Sequence, residues 1–220
     1  MRRSPRFGRP VGSPAHAAMT AVTVFALCAG VWLLREGAET HAPPQPSAAQ
    51  ARGGQARAGQ DGRPAAPALP PSPPGRIRIP AIRVDAPLTG LGLTETGSLD
   101  VPPAARRNLA GWYEAGTTPG ERGTAIVAGH VDNADGPAVF HQLGALRKGS
   151  TIEVDRRDGR VAVFTVDAVE AYAAKDFPDE KVYGAARRPE LRVITCGGGY
   201  SRATGYQGNV VVFAHLTGSR

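Results

Sequence analysis

Cysteine is scarce in this 220-residue sequence, which holds only Cys28 and Cys196. The two lie in segments of very different character, so no disulfide is expected between them, and a small secreted fold stapled by disulfides is excluded. Cys196 is then a lone thiol in the region that carries the folding signals. Such a thiol is either a small buried hydrophobic group or a reactive nucleophile, and composition alone does not separate the two.

Strong metal-binding clusters and phosphate-binding glycine motifs are also missing from the sequence. His130, Asp132 and Asp135 are neighbours, but no thiolate or second suitably spaced histidine accompanies them. Asp132, Asn133 and Asp135 offer oxygens at a spacing that calcium can use, yet the rest of an EF-hand loop is not there. We therefore predict neither a metal nor another cofactor.

Positive charge is in excess overall, with a net charge of +7, but it is concentrated at one end of the chain. Residues 1–75 carry eight arginines against three acidic residues, a net charge of +5, which leaves +2 for residues 76–220. The region with folding signals therefore has no basic surface large enough to indicate a nucleic-acid partner.

Ala17–Leu34 is an 18-residue, largely apolar run without a formal charge. A run of about 17–25 apolar residues can span a bilayer as a helix. Residues 1–16 contain four arginines and no acid, which predicts a cytoplasmic tail, a transmembrane anchor at 17–34 and an extracellular remainder. A cleaved signal peptide is the alternative, with Ala38 and Ala42 as small residues near a cleavage site.

Residues 35–75 are rich in proline, alanine and glycine and contain little that builds a core. Such a segment stays extended, at about 3.1 Å per residue where proline dominates. We interpret it as a linker that keeps a folded domain near the membrane while letting it search the inner cell wall.

Residues 76–220 show short β-branched and apolar runs separated by glycine and proline, the pattern of an all-β barrel or sandwich. A strand is predicted at Arg76–Ile79, with Ile82–Val84 continuing it after Pro80. The other predicted strands are Thr124–Ala128, Thr151–Val154, Val161–Val169, Leu191–Ile194 and Asn209–Ala214. A turn is expected at Arg156–Gly159, and slight helical content at Pro137–Leu143 and Asp179–Ala186.

Cys196 follows the apolar strand LRVIT and precedes three glycines, Gly197–Gly199. A strand end followed by glycines places a side chain at a rim where a substrate backbone can approach. This context gives a thiol the access that a nucleophile needs.

His130 directly follows the strand TAIVAG, and histidine is the residue type most often used as an acid/base group. Asp132 or Asn133 is expected to orient its ring, and a plain surface histidine is the alternative. His141 and His215 are weaker candidates, because the first lies in a predicted turn and the second in or after the last strand.

A cysteine and a histidine on separate strand ends suit nucleophilic acyl transfer, which also needs a stabiliser for the oxyanion. Arg202, six positions after Cys196, is a candidate for that role, and a solvated loop arginine is the alternative.

The segments AGHVD (128–132) and VITCGG (193–198) resemble the catalytic histidine and cysteine motifs of sortases. The ending YSRATGYQGNVVVFA (200–214) is similar to the class F sortases of actinobacteria, and the resemblance covers residues 76–220.

This resemblance implies an eight-stranded β-barrel and a surface-protein substrate with an LPxTG-like sorting signal. It implies that Cys196 attacks the Thr–Gly carbonyl, that His130 protonates the leaving amine, and that an amine on a cell-wall precursor resolves the thioester. Many sortases carry an arginine on the last strand, about where Asn209 lies here, so Arg202 takes that part by similarity to class F. Backbone N–H groups near Gly197 and Gly198 are expected to complete the oxyanion site.

Two alternatives stay open. The same fold and cysteine would serve a sorting-signal hydrolase, in which water resolves the acyl intermediate. A non-catalytic, wall-binding module on a stalk would need neither Cys196 as a nucleophile nor an acceptor amine.

Overall fold

The computed structural model describes residues 42–47 and 65–220. The predicted tail (1–16), the predicted transmembrane anchor (17–34) and most of the predicted linker lie outside the described residues. In the part of the chain that is described, no helix is both long and apolar enough to cross a membrane.

Eight long strands close into a barrel, and two short strands form a separate ribbon. The strands are β1 (Pro74–Ile79), β2 (Val84–Leu91), β3 (Ala110–Tyr113), β4 (Gly123–Gly129), β5 (Asp132–Asn133), β6 (Gly136–Pro137), β7 (Thr151–Arg156), β8 (Val161–Ala173), β9 (Pro189–Ser201) and β10 (Gly205–Ser219).

The order around the barrel is β1-β2-β3-β4-β9-β10-β8-β7, with β7 pairing back to β1. Neighbours are antiparallel except for β2 with β3 and β4 with β9, which run parallel. The ribbon of β5 and β6 follows β4 directly. This arrangement confirms the prediction of an all-β, eight-stranded closed barrel.

The predicted strands lie within β1, β4 and β7 to β10, with burial that alternates in β7 and is continuous over the apolar runs of β9 and β10. In β7, for example, Ile152 and Val154 are fully buried while Thr151 and Glu153 are half-exposed. Strands β9 and β10 extend well beyond their apolar cores, and β3 (AGWY) was not predicted because it has no strong alternation.

The predicted continuation of the first strand through Ile82–Val84 is wrong. Residues Pro80–Ile82 form a single 3-10 turn with proline at its start, and Arg83 follows it with a left-handed φ of 55°. Proline lacks the N–H that a strand ladder needs, so the chain reverses here and β2 begins at Val84 to pair antiparallel with β1.

Helical content is slight, as predicted. The predicted segment Asp179–Ala186 forms one short helix, α1 (Asp179–Tyr183), which ends where the Gly184 N–H donates to the Glu180 carbonyl. A 3-10 turn at Ala174–Asp176 precedes it. The predicted turn at Pro137–Leu143 leads into a further 3-10 turn at Leu143–Ala145.

Two apolar clusters stabilise the barrel. The larger fills its interior and includes fully buried Phe140, Phe164 and Leu216. The smaller lies on the outer face, where Val182 of α1 packs with buried side chains of β9 and β10. Because α1 lies against this face, the connection from β8 to β9 covers part of the outer surface beside the end of β9.

Residues 65–73, within the predicted linker, pack against the barrel. The Ala66 N–H donates to the Leu216 carbonyl over 2.9 Å, and the Leu69 N–H donates to the Gly120 carbonyl over 2.8 Å. The buried guanidinium of Arg156 also donates to backbone carbonyls of this segment and of the loop before β4. The ordered domain thus begins before β1.

Candidate active site

The parallel pairing of β4 with β9 places His130 and Cys196 side by side. The last paired residues of the two strands are Ala128 and Ile194, and His130 and Cys196 each follow two positions later. Neighbouring strands lie about 4.8 Å apart, so equal displacement from a paired position keeps the two residues close.

The two strands are still in contact one residue before this pair. The Thr195 hydroxyl donates to the Gly129 carbonyl over 2.8 Å, and both residues are buried. Side chains alternate between faces, so His130 and Cys196 share the outer face with Ile194, a member of the smaller apolar cluster. The fold thus brings together the two residues that the sequence analysis chose as nucleophile and acid/base group, and their roles stay a prediction.

Cys196 is an exposed free cysteine in the described part of the chain. Although solvent reaches it, partial burial by its neighbours and the nearby Asp132 carboxylate raise the pKa of its thiol, against an opposing backbone hydrogen bond. The resting side chain is therefore held in the thiol form, and a base is needed to generate the thiolate that attacks a carbonyl.

His130 is half-buried and its Nε2 lies 2.6 Å from the Pro102 carbonyl oxygen. A carbonyl only accepts, so Nε2 carries the hydrogen and Nδ1 is the nitrogen that can take up a proton in the neutral ring. Pro102 is 28 residues away in sequence and in an irregular loop, so no sequence pattern identified it as the group that orients the ring.

Asp132 and Asn133 do not orient the His130 ring as expected. Asp132 instead accepts a short hydrogen bond from the hydroxyl of Tyr206 on β10. Asn133 donates to the Ala104 carbonyl over 2.8 Å, and its side-chain oxygen accepts from the Asp135 N–H over 2.9 Å. Both residues fasten the loop after His130 to other parts of the barrel.

Tyr206 was missed by the sequence reasoning, because its partner Asp132 is 74 positions away. Burial and the hydrogen bond to Asp132 raise the pKa of the Tyr206 phenol, so it stays a donor. Its ring also lies against that of Tyr200, with centroids 5.1 Å apart. Tyr206 thereby connects the loop after His130 to the hairpin that follows Cys196.

Asn209 lies directly opposite Cys196 in the β9–β10 ladder and is half-buried. The next pair along the ladder is Gly197 with Gly208. Gly197 is packed tightly, since an added Cβ would lie 2.7 Å from Cγ2 and 3.2 Å from the backbone N of Val210. Gly198 is exposed and has a φ of +79°, a conformation that favours glycine.

Arg202 lies in the turn between β9 and β10 and is exposed. The part of β9 from Cys196 to Ser201 precedes that turn. At about 3.3 Å per residue, this part of the strand has a length on the order of 16 Å. Its guanidinium makes no hydrogen bond or ion pair with any residue that the structure describes. The structure therefore brings Cys196, His130, Asp132 and Asn209 together and leaves Arg202 at the hairpin tip.

The two weaker histidine candidates, His141 and His215, are buried within the fold. His141 is buried, with Nδ1 lying 3.2 Å from the Val131 carbonyl oxygen. His215 is fully buried, with Nδ1 lying 2.8 Å from Asp167 Oδ1.

A cavity of about 540 Å³ opens on the same outer face. Ile126 of β4, four residues before His130, forms its floor, and Leu93 and Leu99 of the loop between β2 and β3 line one side. Asp179 and Tyr183 of α1 line the other side. The cavity is mixed in character, with apolar and aromatic walls and one carboxylate.

The wall formed by α1 is fastened to the barrel. Lys181 forms an ion pair with Glu170 over 2.7 Å, and its Nζ lies 5.2 Å from the centroid of the Phe213 ring. Val182 is fully buried against the outer face. These contacts give the cavity a defined shape.

Within residues 42–47 and 65–220, no cluster of three or more His, Cys, Asp or Glu side chains is arranged to hold a metal ion.

Comparison with known proteins identifies the family of this fold. A family described as "Sortase domain" matches residues 77–217. No curated protein that was compared matches the chain.

Solved structures of sortases share the fold at low sequence identity. Sortase A of Listeria monocytogenes is 16% identical with a TM-score of 0.50, over 68% of this chain and 90% of that one. Sortase A of Corynebacterium diphtheriae is 18% identical with a TM-score of 0.51, over 72% of this chain and 63% of that one. A sortase of Actinomyces oris is 19% identical with a TM-score of 0.50, over 73% and 89%.

Proposed function

Because the chain belongs to the sortase domain family, we propose that it is a cysteine transpeptidase with Cys196 as nucleophile and His130 as acid/base group. The observation that carries the proposal is the equal register of His130 and Cys196 at the ends of β4 and β9. A nucleophile and a base on adjacent strand ends, one exposed and one half-buried, form the pair that acyl transfer requires.

In the acylation step, Nδ1 of His130 takes the thiol proton and the Cys196 sulfur attacks the carbonyl carbon between Thr and Gly of an LPxTG-like signal. The tetrahedral intermediate collapses as the C–N bond breaks, and His130 returns the proton to the leaving glycine amine. The product is a thioester on Cys196 and a free amine.

In the second step, the amine of a cell-wall precursor attacks the thioester carbonyl. His130 removes a proton from this amine and returns it to the departing Cys196 sulfur, which restores the thiol and leaves a new amide bond. The Pro102 carbonyl supports this cycle, because it holds Nε2–H and so keeps Nδ1 as the nitrogen that exchanges the proton.

Four groups share the oxyanion in our proposal. The backbone N–H groups of Gly197 and Gly198 follow the nucleophile directly, and Asn209 is the side chain paired opposite it. Arg202, assigned by its resemblance to class F sortases, adds positive charge when the hairpin tip bends over a bound substrate.

The cavity beside α1 is the proposed site for the apolar part of the sorting signal. Ile126, which lines it, lies four residues before His130 on the same strand, so an extended peptide that continues from the cavity along β4 would bring its carbonyl to the strand ends. Leucine and proline side chains suit its apolar and aromatic walls. The shape of residues 173–188, which include α1, sets the preferred motif.

The placement of the enzyme follows from the regions outside the described residues. We propose that residues 1–16 are cytoplasmic, that 17–34 anchor the chain in the membrane, and that the linker predicted at 35–75 ends before residue 65, because residues 65–73 pack against the barrel. The catalytic domain would then face the cell wall, where surface proteins and peptidoglycan precursors are found. Within the family, we propose that it belongs with the class F sortases of actinobacteria, which the ending at residues 200–214 resembles.

A sorting-signal hydrolase is the second candidate, favoured by one observation. Cys196 is exposed, so water can reach a thioester formed on it. Transpeptidation and hydrolysis share the acylation step and differ only in the resolving nucleophile.

One experiment separates the transpeptidase from the hydrolase. The full chain is incubated with a labelled LPxTG-like peptide, with and without an amine acceptor. A transpeptidase gives mostly amide product when the amine is present, and a hydrolase gives free acid regardless. Mass spectrometry of the chain should show a covalent peptide adduct on Cys196. We expect Cys196→Ala to abolish turnover and His130→Ala to lower it by about 10³-fold or more.

Cys28→Ala is the matched control, since it removes the other cysteine and should leave the adduct unchanged. Turnover that survives in Cys196→Ala would contradict the proposed function and favour the non-catalytic module.

A further inference from the structure

Asp132 places a half-buried carboxylate next to the proposed catalytic pair. It begins β5, two positions after His130. Its Oδ2 accepts the hydrogen bond from the Tyr206 hydroxyl. Within residues 42–47 and 65–220, no other side-chain hydrogen bond and no ion pair reaches this carboxylate, so Oδ1 is available to a donor from outside the domain.

The charge of Asp132 works against the first step of the proposed reaction. Burial and this carboxylate together raise the pKa of the Cys196 thiol, which makes the attacking thiolate harder to form. In the thioester the sulfur carries no charge, so the carboxylate opposes nothing at that stage. During the second step its charge is therefore free to attract a positively charged molecule.

Two tyrosine rings lie next to this carboxylate. Tyr206, which donates to Asp132, is paired with Tyr200 in the ladder of β9 and β10, and the two ring centroids are 5.1 Å apart. Tyr200 is 64% exposed. An exposed aromatic ring beside a carboxylate suits an ammonium group, which is attracted by the ring face and by the negative charge. Arg202 of the same hairpin forms no ion pair with Asp132, so the hairpin does not supply this cation itself.

These groups lie on the side from which the resolving amine must arrive. The proposed path of the sorting signal runs from the cavity along β4 to the strand ends, so the leaving glycine lies beyond them. Asp132 lies three positions past the end of β4, and Tyr200 lies four positions past Cys196 on β9. The incoming amine attacks the same carbonyl carbon from the place that the leaving amine vacated, so it meets these residues.

We propose that Asp132, Tyr200 and Tyr206 form the acceptor subsite, which binds a protonated primary alkylamine such as a lysine side chain of a cell-wall peptide. The ammonium group donates to Oδ1 of Asp132 and lies against the Tyr200 ring. The inference rests on the proposed function, because it gives a place to the amine that resolves the Cys196 thioester.

The ammonium group carries one proton more than the amine that attacks. Nδ1 of His130 takes this proton and releases it to solvent. The neutral amine then attacks the thioester carbonyl, and the C–N bond forms as the C–S bond breaks. His130 passes a second proton from the nitrogen to the sulfur, so the products are an amide, the Cys196 thiol and one released proton.

The test follows the fate of the thioester in the full chain in detergent, with Cys28→Ser so that Cys196 is the only thiol. The acyl group is supplied by a labelled LPxTG-like peptide. Two acceptors are compared below saturation: Nα-acetyl-lysine methylamide, which is a cation at neutral pH, and hydroxylamine, which is uncharged. The readout is the ratio of acceptor adduct to free acid. Both reactions expel the same sulfur, so a changed thiol pKa cancels in this ratio.

Four variants isolate the charge and the ring. Asp132→Asn removes the charge and keeps an oxygen that accepts from Tyr206. Asp135→Asn is its matched control, because it removes the same charge from an exposed position of the same loop. Tyr200→Ala removes the exposed ring, and Tyr200→Phe keeps it.

With the lysine derivative, we expect the ratio to fall about 5- to 10-fold in Asp132→Asn and about 2- to 5-fold in Tyr200→Ala. Asp135→Asn and Tyr200→Phe should leave it unchanged, and hydroxylamine should give the same ratio with every variant. An unchanged ratio in Asp132→Asn, or an equal fall with both acceptors, would overturn the subsite.

A binding measurement separates this proposal from the proposed function. The lysine derivative is titrated into the Cys196→Ala chain while the NMR signals of the tyrosine rings are followed. We expect the signals of Tyr200 and Tyr206 to shift, and Asp132→Asn to weaken this binding. Such shifts without a thioester in any chain would contradict the transpeptidase and uphold the cation subsite. A thioester that every variant resolves alike would uphold the transpeptidase and contradict the subsite.

Discussion

Asn209 on β10 is paired directly opposite Cys196 on β9, in the position from which a side-chain amide can reach the oxygen of a carbonyl group that the sulfur attacks. This pairing leads to the first prediction. Asn209→Ala should lower the acylation rate by about 10- to 100-fold, because one donor to the oxyanion is lost where water is partly excluded. The rate is measured under single turnover with a labelled sorting peptide.

Asn209→Asp is the informative companion, since it keeps the size and replaces a donor by an acceptor. It should be at least as slow as Asn209→Ala. If both variants acylate like the parent chain, Asn209 makes no contact with the oxyanion.

Arg202→Ala tests the proposed closure of the hairpin tip. We expect a loss of about tenfold or more in acylation and no change in the melting temperature, because the side chain is exposed in a turn. Arg202→Lys should recover part of the rate, since it keeps the charge. An Arg202→Ala chain with full activity would leave the oxyanion to Asn209 and the backbone of Gly198.

Asp132→Asn is predicted to make the thiol more acidic. Burial and the Asp132 carboxylate both raise the pKa of Cys196, so removing the negative charge lowers that pKa. The rate of alkylation by iodoacetamide against pH, measured with Cys28→Ser, should therefore shift toward lower pH. A profile that stays in place would show that burial alone sets the thiol pKa.

Tyr206→Phe is predicted to shift the pH dependence of Cys196 alkylation toward higher pH. The phenol donates to Asp132 and so offsets part of its negative charge. Without this donor, the carboxylate opposes the thiolate more strongly and the pKa of Cys196 rises. Tyr200→Phe keeps the stacked ring without removing a donor to Asp132, and it serves as the control that should leave the profile unchanged.

Gly197→Ala is predicted to destabilise the barrel. Its Cβ would press on both the side chain and the backbone of Val210, and overpacking of this kind costs about 1–3 kcal/mol. For a domain of this size that corresponds to a fall of roughly 2–12 °C in melting temperature, measured by circular dichroism. Gly218→Ala, which meets nothing within 4 Å, is the matched control on β10.

The barrel and the pair His130–Cys196 were predictable because their signals are local. Alternating burial in β7 and the apolar runs of β4 and β9 each lie within a few residues, and the motifs around the histidine and cysteine are contiguous. The reversal at Pro80 was missed although proline itself was the signal, because the flanking residues Ile79 and Ile82 keep the same apolar character.

The partners of the site residues were not predictable in the same way. Pro102 and Tyr206 contact His130 and Asp132 across 28 and 74 positions of sequence. The contact of Pro102 uses a backbone carbonyl, which any residue type can supply. Such contacts follow from the closed barrel and not from any pattern along the chain.

The parallel pairing of β4 with β9 determines how late in folding the proposed catalytic pair forms. The 65 residues between Gly123 and Pro189 must be threaded into place before the two strands can lie side by side. An incomplete chain that ends before β9 therefore contains His130 but lacks the Cys196 thiol beside it. The pair forms only when nearly the whole domain has folded, so a nascent or truncated chain is expected to have no acyl-transfer activity.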